Sequence, residues 1–121
     1  MPVDELLTEM HAGVRFSCVR RAGRVVAVMG LQHVADVALI RHAYTLTAEQ
    51  GRGVGTALLE HLRARTNRRL LVGTWRAATW AVRFYERRGF RLVPEEEKFR
   101  LLRRYWTVPE RHIEESVVLA A

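Results

Sequence analysis

Residues 50–56 read Gln50-Gly51-Arg52-Gly53-Val54-Gly55-Thr56, between a strand-like run and an amphipathic helix. Three alternate glycines strip side chains from a strand-to-helix turn. The bare backbone N–H groups and the positive end of the helix dipole can then meet an anion. A phosphate or pyrophosphate is the natural ligand of such a cradle. A plain tight turn is the competing reading, but it does not need alternate glycines, which cost helix-forming entropy. Two nucleotide readings fail on the residues. The dinucleotide fingerprint wants glycine where Thr56 stands and an acidic residue about 20 positions on, and residues 70–76 hold none. The nucleoside-triphosphate loop ends in Gly-Lys-Ser/Thr, and no lysine stands here.

The elements around the loop follow from periodicity. Pro2 to Met10 reads as a short helix. Val14 to Arg20 alternates as a half-buried strand, Ala22-Gly23 makes a hairpin turn, and Arg24 to Val34 is a longer strand. Ala35-Asp36 turns again into Val37 to Leu46, which gives an antiparallel meander leading into the loop. Gly53 to Arg68 is the clearest helix, with Val54, Leu58, Leu59 and Leu62 at helical spacing. Leu70 to Val72 is wholly apolar, as a strand covered on both faces is. A second helix runs over Thr79 to Arg88, with Gly89 at the left-handed position past its end. Phe90 to Val93 is strand-like. Pro94 to Trp106 reads as a third helix with Phe99, Leu102 and Trp106 as its apolar stripe, and His112 to Leu119 as a closing strand.

Composition bounds the rest. A chain of 121 residues with 49% hydrophobic residues is expected to be one globular domain. No run approaches the roughly 18 apolar residues of a membrane span, and no signal peptide is visible at Met1-Pro2-Val3-Asp4-Glu5. Cys18 is the only cysteine and reads as a small buried hydrophobe in a reducing, cytoplasmic setting. Net charge is +7, carried almost wholly by arginine, with Lys98 the only lysine. Such a balance suits a polyphosphate ligand, an anionic surface or nucleic acid. No zinc spacing, helix-turn-helix pattern or aromatic ladder supports the last. Trp75, Trp80 and Trp106 read as core or pocket wall.

The spacing Gln50-x-x-Gly53-x-Gly55, opening a helix after a long strand, resembles the acyl-CoA-binding loop of the GNAT family of N-acetyltransferases. A second block strengthens the likeness. Ala81-x-x-Phe84-Tyr85-x-x-x-Gly89-Phe90, about 25 residues after the loop, is similar to that family's other diagnostic segment. The resemblance covers residues 14–93. Residues 94–120 look like a bacterial subgroup with an added helix before the last strand. It implies an α+β fold: a mixed, mostly antiparallel, splayed central sheet flanked by helices. Acetyl-CoA would serve as co-substrate, with no metal. It would lie where the strand ending near Thr45 splays from the strand at Leu70 to Thr74. Backbone groups of Thr45 and Leu46 would pair with the pantetheine arm. The segment Gln50, Gly51, Arg52, Gly53, Val54, Gly55 and Thr56 would hold the pyrophosphate. A small-molecule or peptide amine would attack the thioester directly, and Tyr85 would protonate the leaving thiolate.

Three departures from the family pattern bear on activity. Members often carry asparagine where Ala78 stands, so one polar cofactor contact is missing. Some place a base where Leu39 stands. His42, Tyr44 and Glu49 are nearby, and His42 has the right intrinsic pKa range. Strand alternation puts His42 on the face opposite Leu39 unless a bulge resets it. Finally, the segment before Val14 is short. A first strand and helix are expected to be missing, and a homodimer could cover the exposed edge. The competing readings are a non-catalytic acyl-CoA-binding module and a basic nucleic-acid-binding protein.

Overall fold

The computed structural model describes Met10 and residues 13–121. The helix expected over Pro2 to Met10 lies, Met10 apart, outside the described residues. The chain divides into two compact units, residues 1–68 and 69–121. Among the described residues no helix is long and apolar enough to cross a membrane.

The first unit is the expected meander. Strands β1 (Val14–Arg21), β2 (Arg24–Val34) and β3 (Val37–Thr45) pair antiparallel in sequence order. Ala22 and Gly23 close the first hairpin with φ of 54° and 78°, the paired positive values that match strand twist in a two-residue turn. A 3₁₀ turn at Thr47–Glu49 precedes helix α1 (Val54–Arg63). Ala27, Met29 and Leu31 of β2 share a face with Ala38 and Ile40 of β3, and all are buried. The same alternation carries His33, whose Nε2 lies 3.0 Å from Thr66 Oγ1 just beyond α1. Helix α1 packs on β1 and β2, burying Val54, Leu58, Leu59 and Leu62. Full burial of each such leucine stabilises by about 1.5–3 kcal/mol over exposure. The helix stops five residues short of the expected Arg68. Thr66 Oγ1 accepts the Arg68 N–H at 3.2 Å, a local bond that competes with helical pairing.

The second unit is built on β4 (Arg69–Trp75), α2 (Thr79–Glu86), β5 (Arg91–Leu92), α3 (Glu95–Tyr105), α4 (Glu110–Ile113) and β6 (Ser116–Ala120). β6 pairs antiparallel with β4 on one side and β5 on the other. Leu70, Leu71 and Val72 are all buried, as the apolar run predicts. The closing strand is shorter than expected because residues 110–113 form a helical turn, ended where Ser116 Oγ donates to the His112 carbonyl at 2.7 Å. Helix α3 keeps its acidic start and basic end. Its buried stripe is Lys98, Leu101, Leu102 and Tyr105 rather than Phe99, Leu102 and Trp106. Trp106 falls past the helix end and lies against Gly73, where a Cβ would stand 3.5 Å from its ring. Phe99 instead stacks with cations: Lys98 Nζ is 4.6 Å and the Arg103 guanidinium 5.4 Å from its centroid. Lys98 is buried to its tip and ion-paired with Glu95 Oε2 at 2.7 Å.

Gly30 sits where three strands crowd. A Cβ there would stand 2.7 Å from Val14 Cγ1 and 2.8 Å from the Arg41 carbonyl oxygen. Overpacking of this kind typically costs about 1–3 kcal/mol. Gly30→Ala is therefore expected to lower unfolding free energy by about that amount in urea titration, with β2 and β3 drifting apart at Arg41. An unchanged midpoint would show that the meander is looser than its packing implies.

Candidate functional site

Two glycines of the loop are required by the backbone. Gly51 and Gly53 both adopt φ of 81°, a region that glycine alone enters without strain. Nothing stands within 4 Å of where a Cβ would project from either, so the bare side of the turn faces open space. Gly53 is the N-cap of α1 and offers no side-chain cap. The first intrahelical bond runs from the Ala57 N–H to the Gly53 carbonyl at 3.0 Å. The amides of Val54 and Gly55 precede it, and so belong to the donors that a helix cannot satisfy internally. The first turn holds no acidic residue, so no carboxylate of the helix competes for its positive end.

The neighbouring carboxylate is already engaged. Glu49, largely buried, meets Arg21 Nε at 3.1 Å and Arg52 Nη1 at 3.9 Å. Arg52 is thereby held beside the loop with its side chain mostly in solvent. Gln50 continues the turn in extended conformation, its N–H donating to the Thr47 carbonyl at 3.2 Å. Upstream, Thr45 pairs with Ala27 across β2. The Leu46 N–H donates to the Val26 carbonyl at 2.9 Å, and the Leu46 carbonyl accepts from the Glu49 N–H at 2.8 Å. Leu46 therefore has its backbone donor spent inside the unit.

His42 lies at a bulge. Val28 pairs with Tyr44 but Gly30 pairs with Arg41, so two steps on β2 match three on β3. The extra residue falls where His42 takes φ of 54°. A non-glycine residue held in that region costs on the order of 1–3 kcal/mol and must be imposed by its surroundings. Simple alternation would set His42 opposite Leu39; the bulge breaks that alternation. The imidazole stands 6.0 Å from the ring of Phe16. Phe16 pairs with Gly30, which pairs with Arg41, two residues from Leu39 on the same face. Of the other base candidates, Glu49 is tied to arginines and Tyr44 is 58% exposed.

In the second unit Ala78 caps α2 and is buried, its carbonyl accepting from the Ala81 and Val82 N–H groups at 3.0 and 3.2 Å. It has no polar side chain to offer a ligand. The helix ends on Gly89, at φ of 90°, with the Arg88 and Phe90 N–H groups both donating to the Tyr85 carbonyl, at 3.0 and 3.1 Å. This cap fixes Tyr85 by its backbone. Its ring is fixed by edge contacts to Phe84 at 5.1 Å and Phe90 at 5.3 Å. Only 5% of Tyr85 is exposed. Burial pushes its phenol up to about 12, because the low-polarity surroundings disfavour the phenolate. Tyr85 therefore holds its proton throughout the neutral range.

Two sequence expectations need correction. Trp75 and Trp80 are 49% and 74% exposed, so neither is core; of the three tryptophans only Trp106 packs inward. Cys18 is exposed, because the alternation that buries Val14 runs out toward the free end of the edge strand. The His42 bulge left no mark in the sequence, since bulges with positive φ normally advertise themselves by glycine. Among the described residues no cluster of histidine, cysteine and carboxylates could hold a metal ion.

Comparison with known proteins gives these units a common frame. A family model described as an acetyltransferase (GNAT) domain matches residues 12–92. No curated protein matches. Among solved structures, the ribosomal-protein-S18-alanine N-acetyltransferase of Escherichia coli superposes with a TM-score of 0.69 at 21% identity, covering 99% of this chain and 77% of that one. A GNAT family acetyltransferase from Elizabethkingia anophelis with acetyl-CoA bound gives 0.70 at 17% identity, covering 98% and 82%. N-acetylglutamate synthase from Neisseria gonorrhoeae, complexed with coenzyme A and N-acetyl-glutamate, gives 0.68 at 20% identity, covering 99% of this chain but 27% of that one. At these identities the likeness establishes the fold, and it is the α+β acetyltransferase fold that the two motifs imply.

The Tyr85 phenol yields a pH prediction. Its folded value lies above the value near 10 of an exposed tyrosine, so its proton favours the folded state. That contribution is complete below about pH 10 and is lost as pH rises toward 12. Tyr85→Phe should thus lose less stability than the wild type between pH 10 and 12 in denaturant titrations. Parallel losses would show that the phenol is not buried in solution.

Proposed function

The chain belongs to the GNAT acetyltransferase family, and from that premise we propose that it moves the acetyl group of acetyl-CoA to a primary amine of a small molecule or peptide. The observation that carries this reading is the start of α1: two left-handed glycines, an N-cap without a side-chain bond, and no acidic residue in the first turn. Those features fit a pyrophosphate. The amides of Gly53, Val54 and Gly55 would hold it, with Gln50, Gly51 and Thr56 beside them and Arg52 shaping the turn through its N–H, which donates to the Glu49 carbonyl at 3.4 Å. Each charge-assisted contact is worth on the order of 1 kcal/mol. Thr45 and Leu46 would border the pantetheine arm, with Ala78 adding an apolar wall where a polar contact is absent.

Bound acetyl-CoA supplies an activated thioester. The protein's own task is then to manage protons. An amine attacks only when neutral, so its proton must leave before or during attack. His42 is the candidate acceptor: an imidazole titrates near neutrality, and the bulge turns it off the regular strand alternation. Tyr85 is the candidate donor to the departing sulfur, since burial keeps its proton in place.

A second reading, binding of acyl-CoA without turnover, is favoured by two particulars. Leu39 is wholly buried and cannot take a proton, and Ala78 contributes no polar group. The two readings separate in one experiment. Acetyl-CoA should raise the thermal midpoint under both, but release of free thiol across an amine panel is expected only from an enzyme. A midpoint that ignores acetyl-CoA would remove both.

The proton roles have their own tests. Tyr85→Phe should lower kcat by about 100-fold, the usual contribution of general acid catalysis, while leaving the KM for acetyl-CoA alone. With the phenol near 12, that deficit should stay constant from pH 7 to 10; unchanged turnover would remove Tyr85 from the chemistry. His42→Gly retains a residue that accepts the positive φ and removes only the imidazole. Turnover is expected to fall by roughly 100-fold with stability equal or higher; turnover at the wild-type level would mean that water takes the amine proton.

A further inference from the structure

The outward face of α2 carries groups that acetyl transfer leaves unused. Trp80 is 74% exposed, and Trp75, at the end of β4, is 49% exposed with its ring edge-on to His112 at 5.2 Å. Two solvent-facing tryptophans within six residues are unusual for a residue that is highly buried on average. Arg83 and Arg87 follow Trp80 by three and seven positions, which puts all three side chains on one stripe of the helix. Tyr85 lies about 140° around the axis from Trp80, on the buried side.

Both arginines are exposed, and among the described residues neither is in an ion pair. Other arginines of this unit are committed. Arg76 reaches Glu95 at 2.7 Å, Arg69 reaches Glu97 at 3.2 Å, and Arg103 grips Glu110 at 3.0 and 3.1 Å. Arg88 donates to the Phe84 carbonyl at 2.8 Å and lies 3.8 Å over the Phe84 ring. The stripe thus combines an exposed indole with guanidinium groups left for an outside partner. Tryptophan and arginine are the side chains that dominate protein–protein hot spots.

We propose that Trp80, Arg83 and Arg87, flanked by Trp75, dock an acidic extended segment of another protein. The spacing carries the choice of partner. Arg83 and Arg87 are separated by about 6 Å along the helix axis. Same-face residues of an extended peptide are about 6.7 Å apart. Two acidic residues separated by one position would therefore meet the two guanidiniums, with an apolar neighbour placed on Trp80. A nucleic-acid strand fits less well, because single-strand binding rests on a basic groove that tracks the backbone, whereas this stripe offers two guanidiniums on one helix face. The surface lies away from Tyr85, so the inference stands independently of acetyl transfer.

The test uses the full chain and a ten-residue peptide containing Leu-Glu-Ser-Glu, lysine-free and blocked at its N-terminus so that it is no acceptor. A Leu-Lys-Ser-Lys counterpart and an oligothymidylate serve as comparison probes, with calorimetry and tryptophan emission as readouts. The acidic peptide should bind and shift the emission. Trp80→Ala and the pair Arg83→Glu with Arg87→Glu should each weaken it by roughly 10- to 30-fold. The charge-reversed pair should also prefer the lysine peptide, a gain that misfolding cannot produce. No binding at millimolar peptide, equal binding by wild type and charge-reversed protein, or tighter binding of the oligothymidylate would each overturn the proposal.

Discussion

A left-handed turn taken twice in three residues is the constraint on which the first unit depends. Gly51 and Gly53 both hold φ of 81°, and that geometry delivers the chain into α1 with no side-chain bond from the N-cap residue. A side chain at either position would find room but not a relaxed backbone. The helix must also stay still for its amides to converge on one ligand. Val54, Leu58, Leu59 and Leu62 provide that by fixing α1 on β1 and β2. The apolar stripe and the glycine turn are thus two halves of one device: one aims the dipole, the other stops it from wandering. Glu49 belongs to the same arrangement. Its ties to Arg21 and Arg52 neutralise a carboxylate that would otherwise repel an anion at the loop.

The bulge in β3 is the second point where the backbone departs from rule, and it differs in kind. At the loop, glycine makes the odd conformation inexpensive. At His42, a branched aromatic side chain occupies a region that disfavours it, so the pairing on both sides must hold it there. Gly30 shows how. It lets Val14 and the Arg41 carbonyl approach within distances that a Cβ would forbid, which locks β2 against β3 one residue before the bulge. Strain in the backbone of a half-buried histidine is the kind of feature found at working sites, and it points to His42 more firmly than its identity alone.

Legibility in the sequence followed the range of the interactions. Strands β1 to β3, α1 and the apolar core of β4 were readable because each rests on local periodicity and turn residues. So was Gly89, whose positive φ is a local demand at a helix end. What escaped depends on which partner a side chain takes, near in the chain or far from it. The stripe of α3 rotated by one position because Lys98 found Glu95 and because Trp106 had Gly73 to lie on. The end of α1 moved because Thr66 took a backbone bond of its own. Trp75 and Trp80 look like core by composition, and only burial distinguishes an interior indole from one in solvent. The left-handed turn at Gly51 and Gly53 was legible because a glycine pattern is itself the geometry; the bulge at His42 was not, because nothing in its neighbours forces an extra residue into the strand.

Burial, finally, fixes the state of the proposed proton donor more securely than residue type does. A tyrosine and a histidine can each give or take a proton, and in water their intrinsic values differ by about 3.5 units. Enclosing Tyr85 between Phe84 and Phe90 widens that separation, since the phenol moves up to about 12. A group so placed is a poor base near neutrality and a constant reservoir of one proton. His42 stays half-buried on a strand. The same reasoning explains why Leu39 and Ala78 do not by themselves abolish chemistry. They remove one route for a proton and one polar contact. The proposed donor rests on the cap at Gly89, and the proposed acceptor on the bulge at His42.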